Sequence, residues 1–210
     1  MRMILVTGTG RSGTSAVMGA LHQLGVHVCS HIIDANEFNP LGYWECQKWW
    51  DVGNRMAFHG LTTDVAIKEY RRLVANHQRE PVWAIKALWL YRSWPAVREA
   101  LPDDVRVVVC HREFASTAAS FEKHGGDRSK PAKQQVIERA TGLMHALREM
   151  QYPRTFVDYD ALVEERETEI DGLIEFVFED LPQPTLEQRA QAIRFIKPEL
   201  RHYEWGGVLV

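Results

Sequence analysis

Three cysteines in 210 residues, Cys29, Cys46 and Cys110, are odd in number and show no C-x-x-C spacing. A disulfide framework is therefore not expected, and a reducing, cytosolic setting is the default. No apolar run approaches the ~18 residues of a spanning helix. The opening MRMILVTGTG turns to glycine and threonine too soon for a secretory leader, so nothing visible addresses the chain to a membrane. An excess of positive charge is also missing. Lys+Arg total 25 against Asp+Glu 28, a formal net charge of -3, so there is no global field to hold a nucleic-acid backbone. Any anion has to be bound by a local pocket. There is no internal repeat, low-complexity tract or Pro/Gly-rich linker to mark a boundary. With 45% hydrophobic and 25% charged residues, the composition is that of a globular chain, and residues 1–210 read as one domain.

What is present is a βα pattern. Residues 3–7 form a short, continuously apolar run; 82–86 and 105–110 are similar, and 154–158 is a fourth strand candidate. Helical periodicity fills residues 89–100, 115–123, 135–150 and 169–178. Residues 45–76 read as helical but are interrupted by Gly53 and Gly60. Near-continuous apolar strands separated by helices predict an α/β fold, a parallel sheet covered on both faces in the three-layer P-loop manner. Residues 123–133 are the best candidate for a mobile loop.

The strongest chemical signal lies between the first strand and the first helix, at Gly8-Thr9-Gly10-Arg11-Ser12-Gly13-Thr14-Ser15. Glycines allow backbone N–H groups to turn inward, and the helix N-terminus adds about half a positive charge, so the loop is an anion cradle. Its Gly8-x4-Gly13 spacing approaches a Walker A loop, but Thr14 stands where the lysine would be and Arg11 is the loop's cation. Arg112 ends the most apolar strand, where open α/β sheets bind ligands, and a guanidinium fork suits phosphate. Its bland alternative is a pairing with a surface carboxylate such as Glu113. Two separated anion sites in one crevice suit a nucleotide bisphosphate better than ATP. Lys86 also ends an apolar strand, where a cation has little structural reason to be.

Taken together, Arg11-Ser12-Gly13-Thr14-Ser15, Asn39-Pro40-Leu41-Gly42-Tyr43-Trp44-Glu45, Trp83-Ala84-Ile85-Lys86, Val107 to Arg112 with Ser120 eight residues on, and Phe156 to Val163 resemble, in order, the motifs of the sulfotransferase superfamily, its bacterial branch in particular. The resemblance implies PAPS (3′-phosphoadenosine 5′-phosphosulfate) as donor and its bisphosphate PAP as product. Gly10, Arg11, Ser12, Gly13, Thr14 and Ser15 would cradle the 5′-phosphosulfate, and Arg112 with Ser120 the 3′-phosphate. It also implies Glu45 as general base, with Asp34, Glu37 and His31 as rivals, and Lys86 and Arg11 as catalytic cations. The family's Asp-Pro after the lysine is replaced by Ala87-Leu88.

The implied reaction moves a sulfuryl group to a hydroxyl, with an amine second, of a small-molecule or carbohydrate acceptor. No metal is expected, since a sulfuryl group carries less charge than a γ-phosphoryl and the third strand ends Cys-His-Arg rather than in an acid. The rival classes are a small-molecule kinase with an altered loop and a non-catalytic nucleotide-binding module. The chain is short for the family, so acceptor-covering elements are either reduced or supplied by a second copy in a homo-oligomer.

Two further features carry weaker signals. Alternation would place His27, Cys29 and His31 on one side of a strand, but one-residue ligand spacing is unusual for a closed zinc site. Trp44, Trp49, Trp50, Trp83, Trp89 and Trp94 flank the expected crevice in sequence, and most are expected to be packing, with one or two stacking on an acceptor.

Overall fold

A computed structural model describes residues 1–29, 31–36, 39–77, 79–124 and 129–198, apart from the side chain of His124. Five parallel strands, β1 (Arg2–Gly8), β2 (His27–Val28), β3 (Val82–Lys86), β4 (Val105–His111) and β5 (Arg154–Asp158), lie in the order β2-β3-β1-β4-β5. The two apolar runs that flank β1 in space thus belong to the most buried strands, as a sheet covered on both faces requires. β2 is only two residues long, which is why apolar periodicity did not reveal it. It also ends before Cys29 and His31, so the alternation over residues 27–31 is not that of a continuous strand.

Side chains alternate across β1 and divide the core in two. Met3 and Leu5 join Trp83, Ile85, Val107 and Val109 under α2 (Gln47–Phe58), α3 (Thr63–Asn76), α4 (Leu90–Val97) and α6 (Ala132–Glu149). Ile4 and Val6 join Ala84, Val108 and Cys110 under α1 (Thr14–Gln23), α8 (Arg166–Phe178) and α9 (Leu186–Phe195). The remaining helices are α5 (Phe114–His124) and α7 (Tyr159–Glu164). The segment read as one interrupted helix is two: Gly60, at φ 67°, separates α2 from α3, whereas Gly53 sits inside α2 against Trp89. α9 was not anticipated. Its start carries a capping box in which Thr185 and Gln188 satisfy each other's backbone N–H groups. The expected loop at 123–133 falls between α5 and α6, and its residues 125–128 lie outside the described residues.

Register brings the strand ends that matter to one edge. Val6 pairs with Lys86 on one side and Val108 on the other, Gly8 pairs with Cys110, and His111 with Asp158. Beyond that line come the loop at 9–13, Arg112 and Tyr159. At the opposite edge, Arg2 and Arg106 are buried cations that hold the end of α8, through Val177 O at 3.1 Å and Glu179 at 2.5 Å respectively. All three cysteines are free and buried. Among the described residues no helix is long and apolar enough to cross a membrane, and no three His, Cys, Asp or Glu side chains gather as metal ligands.

Candidate active site

The turn after β1 is built from left-handed backbone: Gly10, Arg11 and Gly13 have φ of 78°, 58° and 89°. At Gly13 a Cβ would sit 2.4 Å from the Tyr159 ring, and at Gly8 one would meet Ser12 Oγ at 2.4 Å and Cys110 O at 2.6 Å. No side chain caps α1, so the first N–H groups of that helix are left for an external anion. Gly10, Arg11, Gly13, Thr14 and Ser15 all line a cavity of about 310 Å³ at the carboxyl edge of the sheet. Ser12 departs from expectation. Its side chain is fully buried beneath the turn, outside the cavity lining, and its Oγ has no hydrogen-bond partner.

The predicted second anion site opens on the same cavity, which Arg112 and Ser120 also line. α5 begins two residues after Arg112, the condition for a guanidinium and a hydroxyl eight residues apart to approach one ligand. In this structure, however, Ser120 Oγ accepts from Arg11 Nε at 2.9 Å. The loop cation therefore already spans the two sites. Arg112 lies with its guanidinium 4.9 Å over the Tyr159 ring and its Nε 3.7 Å from Asp160 Oδ1. The pairing with Glu113 is not made; Glu113 instead accepts from the N–H groups of Ala115 and Ser116 at the start of α5. Burial lowers the Arg11 pKa, and nearby Arg112 lowers it further against the opposing pull of Tyr43.

Glu45 and Lys86 meet in the cavity wall. Lys86 Nζ lies 2.9 Å from Glu45 Oε1 and also donates to Ser15 Oγ at 2.9 Å and to the Tyr43 carbonyl at 2.7 Å. Burial lowers the Lys86 pKa, and the Glu45 charge works against that fall. The segment carrying Glu45 is held in place by Asn39 Nδ2, which donates to Ser15 Oγ at 3.2 Å, and by Trp44, at φ 55°, edge-on to Phe195. Of the rival bases, Asp34 and His31 are exposed and outside the cavity lining, and Glu37 lies outside the described residues.

Trp49, Trp83 and Trp94 are buried core, and of the tryptophans only Trp89 lines the cavity among the described residues. Sequence reasoning missed Arg139 from α6 and the stretch Phe195-Ile196-Lys197 from the end of α9, all of which line it. The capping box before α9 was a legible signal for the latter. Arg139 offered none.

The arrangement is a left-handed turn at an uncapped helix start, the arginines Arg11 and Arg112, and a carboxylate–ammonium pair lining one cleft. A family model described as a sulfotransferase domain matches residues 3–176. The fold is similar to the crystal structure of the sulfotransferase STF1 from Mycobacterium tuberculosis H37Rv, with TM-score 0.61 and 16% identity over 92% of this chain and 70% of that one. No curated protein matches. With a family match over most of its length and a fold shared with a solved member, the chain belongs to the sulfotransferase family.

Proposed function

We propose that this sulfotransferase takes its sulfuryl group from PAPS and passes it by in-line displacement to a hydroxyl, with an amine second, of a small-molecule or carbohydrate acceptor. The observation that carries the reading is the 2.9 Å hydrogen bond from Arg11 to Ser120, which ties the loop to the second anion element within one cavity. The residues suit the donor. An uncapped helix start and left-handed glycines offer N–H groups to the 5′-phosphosulfate, while Arg112 and Ser120 stand ready for the 3′-phosphate.

The donor supplies an activated sulfur whose bond to the 5′-phosphate oxygen is the one broken. Glu45 takes the acceptor's hydroxyl proton as the new O–S bond forms. The electron pair of the broken bond goes to the phosphate oxygen of PAP, where Arg11, Lys86 and the loop N–H groups meet the charge and Thr14 and Ser15 complete the cradle. The Glu45–Lys86 contact couples the two events. On accepting a proton, Glu45 ceases to neutralise Lys86, whose charge then becomes available to the leaving oxygen. Each well-placed donor in such a site contributes about 3 kcal/mol to the barrier reduction.

Calorimetry with PAP and with Mg·ATP tests the reading, followed by an acceptor screen with labelled PAPS. PAP binding and label transfer are expected. Binding of Mg·ATP alone would favour the kinase class, and PAP binding without transfer to any acceptor would favour a nucleotide-binding module.

A further inference from the structure

Cys29 and Cys46 are two thiols that sulfuryl transfer leaves unused. Residues 31–33 run antiparallel to 45–47: Ile33 N–H donates to the Glu45 carbonyl at 2.8 Å, Gln47 N–H donates to the His31 carbonyl at 2.9 Å, and Ile32 pairs with Cys46 between them. This short ladder brings Cys46 back to the chain that leaves β2. Cys29 Sγ lies 3.9 Å from the same His31 oxygen that Gln47 bonds, and the Cys46 thiol donates a hydrogen bond to the Cys29 sulfur. Both side chains belong to the core half under α2, α3, α4 and α6. Cys46 is 3% exposed, and Cys29, two residues before exposed His31, is 9% exposed.

The surroundings give the two sulfurs different characters. The hydrogen bond from Cys46 brings the Cys29 pKa down from 9.0 to about 4 against the opposing effect of burial, and His77 lowers it as a second donor. The His77 ring is itself fixed, stacked on Trp83 with centroids 4.6 Å apart. Cys46 is pushed up, first by the hydrogen bond it shares with Cys29 and then by burial, so it keeps its proton. A thiolate at the outer position, with a protonated thiol in contact behind it, matches an attacking and a resolving sulfur. Cys110 differs on both counts: burial pushes its pKa up to about 12, and it belongs to the other half of the core.

We propose that Cys29 and Cys46 form a redox modification site, closing to a disulfide under a hydroperoxide and reopening under a thiol reductant. The Cys29 thiolate attacks one peroxide oxygen. An S–O bond forms, the O–O bond breaks, and the departing oxygen takes up a proton and leaves as water or an alcohol. The Cys46 sulfur then attacks the sulfenic sulfur, forming the S–S bond and breaking the S–O bond, and the hydroxide leaves as water with the Cys46 proton. The two sulfurs give up two electrons, which reduce the peroxide. Cys46 directly follows Glu45 and precedes α2. A disulfide of about 2.05 Å is far shorter than a hydrogen-bonded pair of thiols, so closure pulls this segment toward the end of β2 and disturbs the 2.9 Å contact of Glu45 with Lys86. That effect on turnover rests on the sulfotransfer reading above; formation of the bond does not.

The test treats the folded full chain with a small excess of hydrogen peroxide and reads intact mass and tryptic peptides without reductant. Wild type is expected to lose about 2 Da, to yield a linked Cys29–Cys46 peptide pair with Cys110 still free, and to regain its mass with dithiothreitol. In Cys46→Ser, dimedone should trap a sulfenic acid on Cys29; in Cys29→Ser, Cys46 should stay unmodified. An unchanged mass, stepwise gains of oxygen without linkage, a bond involving Cys110, or dimedone on Cys46 of the Cys29→Ser chain each overturn the inference. Label transfer from PAPS is measured alongside. It should fall about tenfold to 100-fold in oxidised wild type, the cost of a misplacement of about 1 Å, and return with dithiothreitol, while Cys29→Ser should be insensitive to peroxide. Linkage without loss of turnover overturns the effect on the site. A chain that links but transfers no label in either state overturns the proposed function and leaves the disulfide standing.

Discussion

Glu45 Oε1 and Lys86 Nζ form a 2.9 Å ion pair with both side chains almost fully removed from solvent. The two residues come from a connecting segment and a strand end, and the pair ties that segment to the sheet. A buried pair is weak evidence of net stability, but removing one partner leaves an uncompensated charge. Lys86→Met is therefore expected to cost about 3 kcal/mol or more in urea unfolding. Glu45→Gln with Lys86→Met should recover most of that loss. Additive losses in the double variant would mean the two groups are not coupled.

Glu45→Gln alone keeps the side chain's shape and removes its basicity. Label transfer from PAPS should fall by about 10²- to 10⁴-fold, the range ascribed to a positioned general base. Calorimetric PAP affinity should hold. Unchanged turnover would take the base role away from Glu45.

Ser120→Ala deletes the acceptor of the 2.9 Å bond from Arg11. A hydrogen bond to a charged group of this kind is worth about 1.5–3 kcal/mol. The free energy of urea unfolding should accordingly fall by an amount in that range, since the bond is present in the free chain and Ser120 is buried. PAP affinity should fall as well, because the hydroxyl also lines the cavity.

Cys110 lies on β4 with its thiol buried, and burial pushes its pKa up from 9.0 to about 12, with Lys86 pulling weakly the other way. The native state therefore keeps a proton that the unfolded chain releases above pH 9. The stability this contributes is present below that pH and is lost as pH rises toward 12, at about 1.4 kcal/mol per unit. Lys86, lowered by burial, runs in the opposite direction, so the comparison is between wild type and Cys110→Ala with Lys86 present in both. Urea unfolding at pH 8 and pH 10 should show the wild type losing roughly 1 kcal/mol more than the variant over that interval. Equal losses would mean that the thiol titrates alike in both states.

The strands with long apolar runs were legible because burial on both faces leaves no other pattern. β1, β3, β4 and β5 fall within a residue or so of the expected limits. A strand at 27–31 was suggested only by its His/Cys alternation and is two residues long, too short to carry a period, and the break at Gly60 could not be told from the tolerated Gly53 without knowing that Trp89 packs on the latter. The turn between β1 and α1 was readable from its glycines alone. The Ser12 side chain was not, since which residues of a tight turn face inward depends on φ values that composition does not reveal. Glu45 and Lys86 were each singled out, but their mutual contact joins residues far apart in the chain, which local pattern does not reveal. Arg139 looked like any polar residue of an amphipathic helix, and only the packing of α6 on α4 and α5 brings it to Trp89 and Phe121.

α9 crosses α1 where Gly19 leaves room for a ring: a Cβ there would stand 2.1 Å from Phe195. That crossing delivers Phe195, Ile196 and Lys197 to the cleft. A chain emerging from the ribosome thus carries the residues of all five strands, the loop after β1 and the Glu45–Lys86 pair before those of α9 have been synthesised. Among its described parts, the wall of the cleft that α9 supplies is therefore the last to be made.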